Sequence, residues 1–243
     1  MIGMVLAAGG GRRLHPDTKE LPKTLLSVDG DRSILDIALA NLRQVGLETV
    51  VVVVGVAGQR ITERVAELQR RHGVTLELVY NPKAEEWNNA YSLWCAREAF
   101  AEGVLMVNGD TVHPAAVEER LLAARHHEVV IAVDGEKPLA EEEMKVRLSP
   151  DGLLERIDKK IDPATAHGEY IGLTLIEPQA ATPLAQALEA TWRRDPGLYY
   201  EDGFQEFADR GGRVGTAPVD GVEWVEVDDH ADLARARELA CRC

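Results

Sequence analysis

The segment Thr49–Val54 constrains the fold more than any other, because five of its six residues are valine. A run of β-branched residues with no polar–apolar alternation is typical of a strand that is buried on both faces. Such strands lie in mostly parallel sheets that helices cover on both sides. The segment therefore predicts the α/β class.

Short apolar runs and helical patterns alternate along most of the chain, as a sheet covered on both faces requires. The segment 34–45 repeats apolar residues at helical spacing, and Ser33 is a candidate N-cap for it. The predicted strands are 1–8, 49–54, 74–80, 104–108 and 129–133. The predicted helices are 34–45, 61–69, 90–100 and 115–125.

The alternation of strand and helix patterns ends at about residue 140. The segments 145–148 and 153–157 flank Ser149-Pro150-Asp151-Gly152, which is a turn sequence between two strands. With a strand at 170–176, the region of about 135–178 is predicted to be a small antiparallel extension of the main sheet. The remaining predicted elements are helices near 180–192 and 203–210, strands near 213–219 and 223–227, and a terminal helix from about 230. Residues 1–243 are thus predicted to form a single domain.

The net charge is −14, from 41 acidic and 27 basic residues. Nucleic acids and anionic membranes are bound by clustered Lys and Arg, so this balance argues against both partners. No apolar run approaches the roughly 18 residues of a membrane span. Cys95, Cys241 and Cys243 show no disulfide or zinc spacing, which favours a reducing compartment. We expect a cytoplasmic protein, and we leave a homodimer as an open alternative.

A glycine-rich segment, Leu6-Ala7-Ala8-Gly9-Gly10-Gly11-Arg12-Arg13-Leu14, follows the first predicted strand. Glycines let backbone N–H groups approach anionic oxygens closely, and nearby basic side chains can clamp a triphosphate. A dinucleotide fingerprint would need glycine at Leu14, and no Gly-Lys-Ser/Thr of a Walker A loop follows. The predicted triphosphate-binding residues are Leu6, Ala7, Ala8, Gly9, Gly10, Gly11, Arg12, Arg13 and Lys23.

Two acidic residues follow predicted strands. Asp110 ends Asn108-Gly109-Asp110, and Asp228 ends Val225-Glu226-Val227-Asp228. Ligands of open α/β sheets bind beyond the carboxyl ends of the strands, and carboxylates are ligands that Mg²⁺ combines with phosphate oxygens. Each could instead be a turn or capping residue, although Asp229 is the better N-cap candidate for the last helix. The pair is a candidate metal site.

A polar motif, Asn88-Asn89-Ala90-Tyr91-Ser92-Leu93-Trp94, opens the helix predicted at 90–100. The free N–H groups of a helix N-terminus, together with amide and hydroxyl side chains, can bind a base edge or a ribose. Asn88, Asn89 and Ser92 are therefore candidates for nucleotide binding, and capping and packing of the helix is the alternative role.

The glycine segment followed by Leu21-Pro22-Lys23-Thr24-Leu25-Leu26 resembles the signature of the nucleotidyltransferases that make nucleotide-activated sugars and alcohols. Gly9, Gly11, Arg13 and Lys23 match L-A-A-G-x-G-x-R-L followed by P-K. The resemblance implies the GT-A-like nucleotidyltransferase fold, a Rossmann-like three-layer α/β/α sandwich around a mostly parallel mixed sheet.

The same resemblance implies how the site works. The glycine loop would wrap the triphosphate, and Arg13 and Lys23 would neutralise charge on the phosphates and the departing pyrophosphate. Asp110 and Asp228 would bind Mg²⁺. These four are the candidate catalytic residues.

Asn-Asn-x-Tyr-Ser-Leu at 88–93, the segments 143–146 and 168–172, and Tyr-Tyr-Glu-Asp at 199–202 are similar to one branch of that family. That branch comprises the cytidylyltransferases for phosphocholine, inositol phosphate and small phosphonates. It implies transfer of CMP from CTP to a small phosphorylated alcohol or phosphonate, with release of pyrophosphate. In the extension at 135–178 and around it, the candidate acceptor-binding residues are Lys145 for the phosphate, and Glu169, Tyr170, Glu201 and Tyr91.

Alternatives stay open for the acceptor and for the activity. The aromatic residues near these motifs could form a choline-binding cage or belong to the core: Trp87, Tyr91, Trp94, Tyr170, Tyr199, Tyr200 and Trp224. A sugar-1-phosphate nucleotidyltransferase using UTP, dTTP or GTP would share the fold and the metal site. A non-catalytic nucleotide-binding regulator and a dinucleotide-dependent oxidoreductase are more remote alternatives.

Overall fold

The computed structural model describes residues 1–241, whose largest sheet has nine strands. Cys243, one of the three cysteines for which the sequence shows no disulfide or zinc spacing, lies outside the described residues. The strands are β1 (Ile2–Ala7), β2 (Ser27–Asp29), β3 (Arg32–Ser33), β4 (Thr49–Val54), β5 (Thr75–Tyr80), β6 (Val104–Asn108), β7 (Thr111–Val112), β8 (Val129–Asp134), β9 (Lys145–Leu148), β10 (Leu154–Asp158), β11 (Gly168–Ile176), β12 (Val214–Pro218) and β13 (Val225–Glu226).

Seven α-helices are described between residues 1 and 241, and short 3₁₀ turns link several elements. The helices are α1 (Ile34–Gln44), α2 (Gln59–His72), α3 (Asn89–Cys95), α4 (Ala116–Ala123), α5 (Ala181–Arg194), α6 (Tyr200–Asp209) and α7 (His230–Ala240). The 3₁₀ turns are Arg12–Leu14, Lys23–Leu25, Arg97–Glu102, Pro163–Thr165 and Pro178–Ala180. Within the described chain, no helix is both long and apolar enough to cross a membrane.

The main sheet is mostly parallel, with the order β10-β9-β11-β6-β1-β4-β5, and β8 joins β11 to β12. The parallel pairs are β1 with β4 and β6, β4 with β5, and β8 with β12. The five valines of β4 are all buried, as their sequence predicts.

Two hydrophobic cores lie on opposite faces of this sheet. On one face Leu39 of α1, Ile61 of α2 and Leu121 of α4 pack in one cluster. On the other face α3, α5 and α6 pack in a second cluster, where Phe204 of α6 is fully buried. Because alternate side chains of a strand point to opposite faces, neighbouring valines of β4 belong to different clusters. These layers form the predicted α/β/α sandwich.

The region 135–178 was predicted to be a small antiparallel extension of the main sheet. β9 and β10 do form the expected antiparallel pair. However, β11 lies between β6 and β8 over much of its length, with Leu173 opposite Val107 and Leu175 opposite Val130. All nine residues of β11 are buried. The strand therefore belongs to the main sheet, and only β9 and β10 extend it.

Two helix boundaries also differ from their predictions. The helix expected at 90–100 ends at Cys95 and continues as a 3₁₀ turn. The helix expected at 203–210 begins at Tyr200, where the Tyr199 N–H donates to Asp202 Oδ2 at 2.8 Å. Gly203 lies inside this helix, where a larger residue would not fit, because a Cβ there would come within 2.5 Å of Leu188 on α5. The glycine thus allows α5 and α6 to approach closely.

Candidate active site

The ends of β1 and β6 meet at one edge of the sheet, beside a cavity of about 470 Å³. The Gly109 N–H donates to Leu6 O at 2.9 Å, and a Cβ on Gly109 would come within 2.5 Å of that oxygen. Glycine is therefore required for the turn after β6 to pack against β1. This turn places Asp110 beside the start of the glycine loop.

A third hydrophobic cluster packs between the segments that carry the glycine loop and the two acidic motifs. It contains Leu14 at the end of the glycine-rich segment, Val112 of β7, Val227 after β13 and Leu233 of α7. β7 and β13 pair as a short antiparallel ladder, and the Val227 N–H donates to the Asp110 carbonyl at 2.9 Å. The backbone thus joins the two acidic motifs, which are more than a hundred residues apart in sequence.

Three carboxylates come together at this point. Asp110, Glu226 and Asp228 each offer an oxygen within 4.8 Å of the others. Glu226 and Asp228 are two positions apart in a segment that starts as a strand, so they share a face. Oδ1 of Asp110 is buried and has no hydrogen-bond partner within residues 1–241. Several carboxylate oxygens with one buried and unpartnered suit a hard divalent cation.

Two basic side chains contact the carboxylates. Nζ of Lys23 lies 2.8 Å from Asp110 Oδ2 and 3.0 Å from Asp228 Oδ1. The Arg13 guanidinium lies 2.6 Å from Asp228 Oδ2. The structure therefore brings together the four predicted catalytic residues. It places Lys23 against the carboxylates and not on the wall of the cavity, where we expected it to meet a triphosphate.

The charges of this group change one another's pKa values. Burial lowers the pKa of Lys23, but the charges of Asp110 and Asp228 outweigh it, so its pKa is raised and it stays protonated. Burial raises the pKa of Asp228, but Lys23 and then Arg13 outweigh it and hold the pKa below its ordinary value. Burial among protein atoms raises the pKa of Glu226, and the negative charges of Asp110 and Asp228 raise it further. The Glu226 side chain is nevertheless exposed to the solvent of the cavity.

The glycine loop separates this cavity from a second one of about 620 Å³. Gly11 has a φ of +54°, and a Cβ there would lie 3.0 Å from the Lys23 Cβ, so glycine suits both its conformation and its close packing. Leu6 lines the first cavity only, and Ala7 and Gly11 line neither. Of the other predicted nucleotide-binding residues, Arg13 lines the first cavity and Lys23 lines neither. The rest line the second cavity: Ala8, Gly9, Gly10, Arg12, Asn88, Asn89 and Ser92.

The polar residues at the start of α3 make capping and packing hydrogen bonds, and they also border the cavities. Asn88 caps the helix by accepting a hydrogen bond from the Asn89 N–H at 2.8 Å. Asn89 Oδ1 accepts from the Tyr200 N–H at 2.9 Å, and Ser92 Oγ accepts from Asn81 at 2.8 Å. Asn89 and Ser92 border both cavities, and Asn88 borders the second one. Hydrogen bonds within the protein hold all three side chains in place.

The predicted acceptor-binding residues separate into two groups. Glu169, Tyr170 and Glu201 line the first cavity, whereas Lys145 and Tyr91 do not. Glu169 is buried and pairs with Lys137 at 2.8 Å. Burial raises the pKa of Glu201 to about 8.

Lys145 requires a correction of the sequence-based prediction. Its side chain is fully buried, and its ammonium donates to the carbonyls of Ala140, Glu141 and Glu143 at 2.9, 2.9 and 3.1 Å. The ammonium is thus satisfied by a loop whose neighbouring residues, including Glu142 and Met144, line the cavity. Lys145 supports the cavity wall and does not reach an acceptor phosphate.

The aromatic residues do not assemble into a single cage. Trp87, Tyr91 and Trp94 pack around Trp192 with ring centroids 4.8 to 5.6 Å apart, away from the first cavity. Tyr200 is fully buried and donates to Asn108 Oδ1 at 2.8 Å. The aromatic residues that line the first cavity are Tyr170, Tyr199 and Trp224.

Sequence reasoning missed several polar residues of the first cavity, among them Glu226, Lys137 and Lys159. Glu226 had a usable signal, since it lies two positions before Asp228 on a strand and therefore shares its face. Lys137 and Lys159 had none, because they lie in segments after β8 and β10 that only the tertiary fold brings to the cavity.

The α/β sandwich, the glycine loop and the acidic cluster at its edge define the class of the nucleotidyltransferases. The chain belongs to the MobA-like NTP transferase domain family, which matches residues 3–198. It is 34% identical to the CMP-5'-(3-aminopropyl)phosphonate synthase of Streptomyces rubellomurinus over 96% of this chain and 38% of that protein. It is 31% identical to the choline-phosphate cytidylyltransferase of Streptococcus pneumoniae over 44% of this chain and 43% of that protein. The chain thus covers less than half the length of these curated relatives.

Solved structures confirm the predicted fold. The inositol-1-phosphate CTP transferase from T. maritima superposes with a TM-score of 0.83, at 23% identity, over 99% of this chain and 94% of that one. The chain is also 32% identical to the UTP–glucose-1-phosphate uridylyltransferase AglF of Haloferax volcanii over 46% of this chain and 45% of that protein. The resemblance that the sequence motifs indicated, to nucleotidyltransferases and to their cytidylyltransferase branch, is therefore confirmed.

Proposed function

We propose that this chain is a cytidylyltransferase, which transfers CMP from CTP to a small phosphorylated alcohol or phosphonate and releases pyrophosphate. One observation carries the proposal: Asp110, Glu226 and Asp228 cluster with Lys23 and Arg13 at the sheet edge where the glycine loop begins. The phosphonate and choline-phosphate relatives support CTP and this kind of acceptor.

The reaction needs one bond exchange. An oxygen of the acceptor phosphate or phosphonate forms a bond to the α-phosphorus of CTP. The bond from that phosphorus to the oxygen bridging to the β-phosphorus breaks, and its electron pair leaves with pyrophosphate. The protein's contribution is positioning and charge neutralisation. Arg13 lines the first cavity and can place positive charge next to the phosphates.

The glycine loop and the start of α3 suit the nucleotide. Gly9 and Asn89 border both cavities, so a triphosphate can lie across the loop with its nucleoside in the second cavity. Backbone N–H groups of such a loop bind phosphate oxygens. Asn88 and Ser92 are the side chains that we assign to the nucleoside.

We assign Mg²⁺ to the carboxylate cluster. Asp110 and Asp228 would hold it, and Glu226 adds a third oxygen ligand that the sequence-based prediction omitted. The unpartnered buried Oδ1 of Asp110 fits such a ligand role. A bound Mg²⁺ supplies Lewis-acid polarisation and charge neutralisation at phosphate oxygens.

Other functions are less well supported. A sugar-1-phosphate nucleotidyltransferase using UTP, dTTP or GTP remains the nearest alternative, since a UTP–glucose-1-phosphate uridylyltransferase is among the relatives. A non-catalytic regulator would not need the three carboxylates and the two basic residues. The cytoplasmic location, the lack of a nucleic-acid partner and the homodimer stay predictions.

The test is pyrophosphate release with Mg²⁺ from CTP, UTP, dTTP, GTP and ATP. Each is paired with phosphocholine, inositol phosphate, 2-aminoethylphosphonate, 2-hydroxyethylphosphonate and sugar 1-phosphates. We expect release with CTP and a small phospho-alcohol or phosphonate. Release only with sugar 1-phosphates would favour the alternative, and no release with any pair would contradict the proposal. Asp110→Asn should lower release by about 100-fold or more at limiting Mg²⁺, and Asp151→Asn in the exposed β9–β10 turn is the matched control.

A further inference from the structure

Glu201 stands out among the residues of the first cavity. It lies in the first turn of α6, is 7% exposed and lines the cavity. Its Oε2 is buried and has no hydrogen-bond partner within the described chain. A buried, unpartnered carboxylate oxygen is costly unless a ligand supplies a donor. A donor group on the bound acceptor would therefore satisfy Oε2 of Glu201.

The wall around Glu201 already accommodates ammonium groups. Nζ of Lys137 lies 4.5 Å from the ring centre of Trp224 and 2.8 Å from Glu169 Oε2. Nζ of Lys159 lies 5.6 Å from the ring centre of Tyr199. Carboxylates and aromatic faces are the groups that bind ammonium cations. Glu201 is a further carboxylate of this wall, and its Oε2 is still unpartnered.

The arrangement favours a primary ammonium over a quaternary one. A quaternary ammonium needs several open aromatic faces, because it has no N–H to donate. Of the seven expected cage residues, three line this cavity, and Lys137 lies over one of these, Trp224. An N–H donor, in contrast, would satisfy Oε2 of Glu201 directly.

We infer that Glu201 binds a protonated primary amine of the acceptor, so the acceptor is a small aminoalkyl phosphonate or an amino-alcohol phosphate. This inference rests on the proposed function and narrows its acceptor. Burial raises the pKa of Glu201 to about 8, and a bound ammonium would favour its charged form. With a neutral hydroxyl in place of the amine, Glu201 would stay mostly protonated at neutral pH and would make only a neutral hydrogen bond.

The wild-type enzyme provides the first test. With saturating CTP, kcat/KM is measured for 2-aminoethylphosphonate, its N-trimethyl analogue and 2-hydroxyethylphosphonate. A hydrogen bond to a charged group predicts a preference for the primary amine of about 10- to 100-fold. Equal or better use of the trimethyl or hydroxyl compound would overturn the inference. This comparison needs no variant, so poor folding of a variant cannot obscure it.

Glu201→Gln provides the second test. We expect its KM for 2-aminoethylphosphonate to rise by about 10- to 100-fold, while the KM values for 2-hydroxyethylphosphonate and CTP change little. The matched control is Glu206→Gln on the same helix, whose carboxylate pairs with Arg194 and Arg210 outside the cavity. A Glu201→Gln enzyme that keeps the amine preference would overturn the inference.

The outcomes also separate the inference from the proposed function. Turnover with CTP that shows no preference for the primary-amine acceptor would leave the cytidylyltransferase in place and overturn the role of Glu201. No pyrophosphate release from any pair of substrates would overturn the proposed function, and this inference with it.

Discussion

Nζ of Lys23 lies 2.8 Å from Oδ2 of Asp110, which joins the segment after the glycine loop to the end of β6. The same nitrogen lies 3.0 Å from Asp228, so one ammonium links two of the three clustered carboxylates. The lysine holds the cluster together electrostatically, and its charge competes with that of any cation the carboxylates bind.

Replacing Lys23 should therefore change turnover and metal affinity in opposite directions. In Lys23→Met, we expect turnover to fall by about 100-fold, because the ammonium that holds Asp110 and Asp228 in position is lost. We also expect Mn²⁺ to bind more tightly without nucleotide, because the carboxylates no longer face an ammonium. Calorimetric titration and pyrophosphate release measure the two quantities. Lys160→Met, at an exposed site, is the control, and unchanged Mn²⁺ affinity and turnover would show that Lys23 has neither role.

The carboxylates themselves give the second prediction. Asp110→Asn, Glu226→Gln and Asp228→Asn should each lower turnover by about 100-fold or more at limiting Mg²⁺, because each removes a ligand oxygen charge. Part of the rate should return as Mg²⁺ is raised. Full turnover of the Asp110 or Asp228 variant at limiting Mg²⁺ would show that the metal assignment is wrong.

Much of the fold could be predicted from local sequence because the relevant physics is local. The valine run of β4, the Ser33 cap of α1 and the Asp229 cap of α7 all appear as expected. β11 could not be placed, because a strand with nine buried residues gives no sign of its partners.

The site shows the same division between local and distant contacts. The glycine loop and the two aspartates follow strands, so the sequence brings them to one edge of the sheet. The role of Lys145 could not be predicted, because its three carbonyl partners belong to an irregular loop of residues 140–143. Lys137 reaches Trp224 only through the tertiary fold.

Glu201 gives a third prediction, on stability and pH. Its pKa is about 8 in the folded protein, against about 4.3 for an exposed glutamate in the unfolded chain. A raised pKa means that the native state loses stability as pH rises from about 4.3 to about 8. Glu201→Gln should therefore raise the unfolding temperature relative to wild type at pH 7 to 8, and this gain should shrink towards pH 4.5. An increase in unfolding temperature that does not change with pH would contradict the raised pKa of Glu201.

Glu206 on the same helix provides a control of opposite sign. Its contacts with Arg194, and then Arg210, outweigh burial and lower its pKa. Its stabilising contribution is present above the unfolded-state pKa and is lost as pH falls through the folded-state pKa. Glu206→Gln should thus unfold at a lower temperature than wild type at pH 7, with the difference disappearing in acid.

A fourth prediction concerns the buried contact between His113 and Glu118, whose Nδ1 and Oε2 are 3.4 Å apart. Burial lowers the pKa of His113, but the charge of Glu118 outweighs it and raises the pKa. The pair therefore stabilises the protein most below about pH 6.5, and this contribution is lost as pH rises through the folded-state pKa.

Removing one partner of this pair should cost more than removing both. His113→Leu leaves a buried, unpaired Glu118 and should reduce the free energy of unfolding at pH 6 by about 3 to 5 kcal/mol. The double variant His113→Leu/Glu118→Leu should recover most of that loss. Urea unfolding measures both, and a double variant no more stable than the single one would argue against a charged pair.

The most direct test of the central claim follows the oxygen atoms of the acceptor. 2-Aminoethylphosphonate labelled with ¹⁸O in all its phosphonate oxygens is incubated with the protein, CTP and Mg²⁺, and the products are analysed by mass spectrometry. Attack on the α-phosphorus predicts a cytidylylated phosphonate that keeps every labelled oxygen, and pyrophosphate that carries none. Release of CDP or inorganic phosphate, or label in the pyrophosphate, would contradict nucleotidyl transfer by this chain.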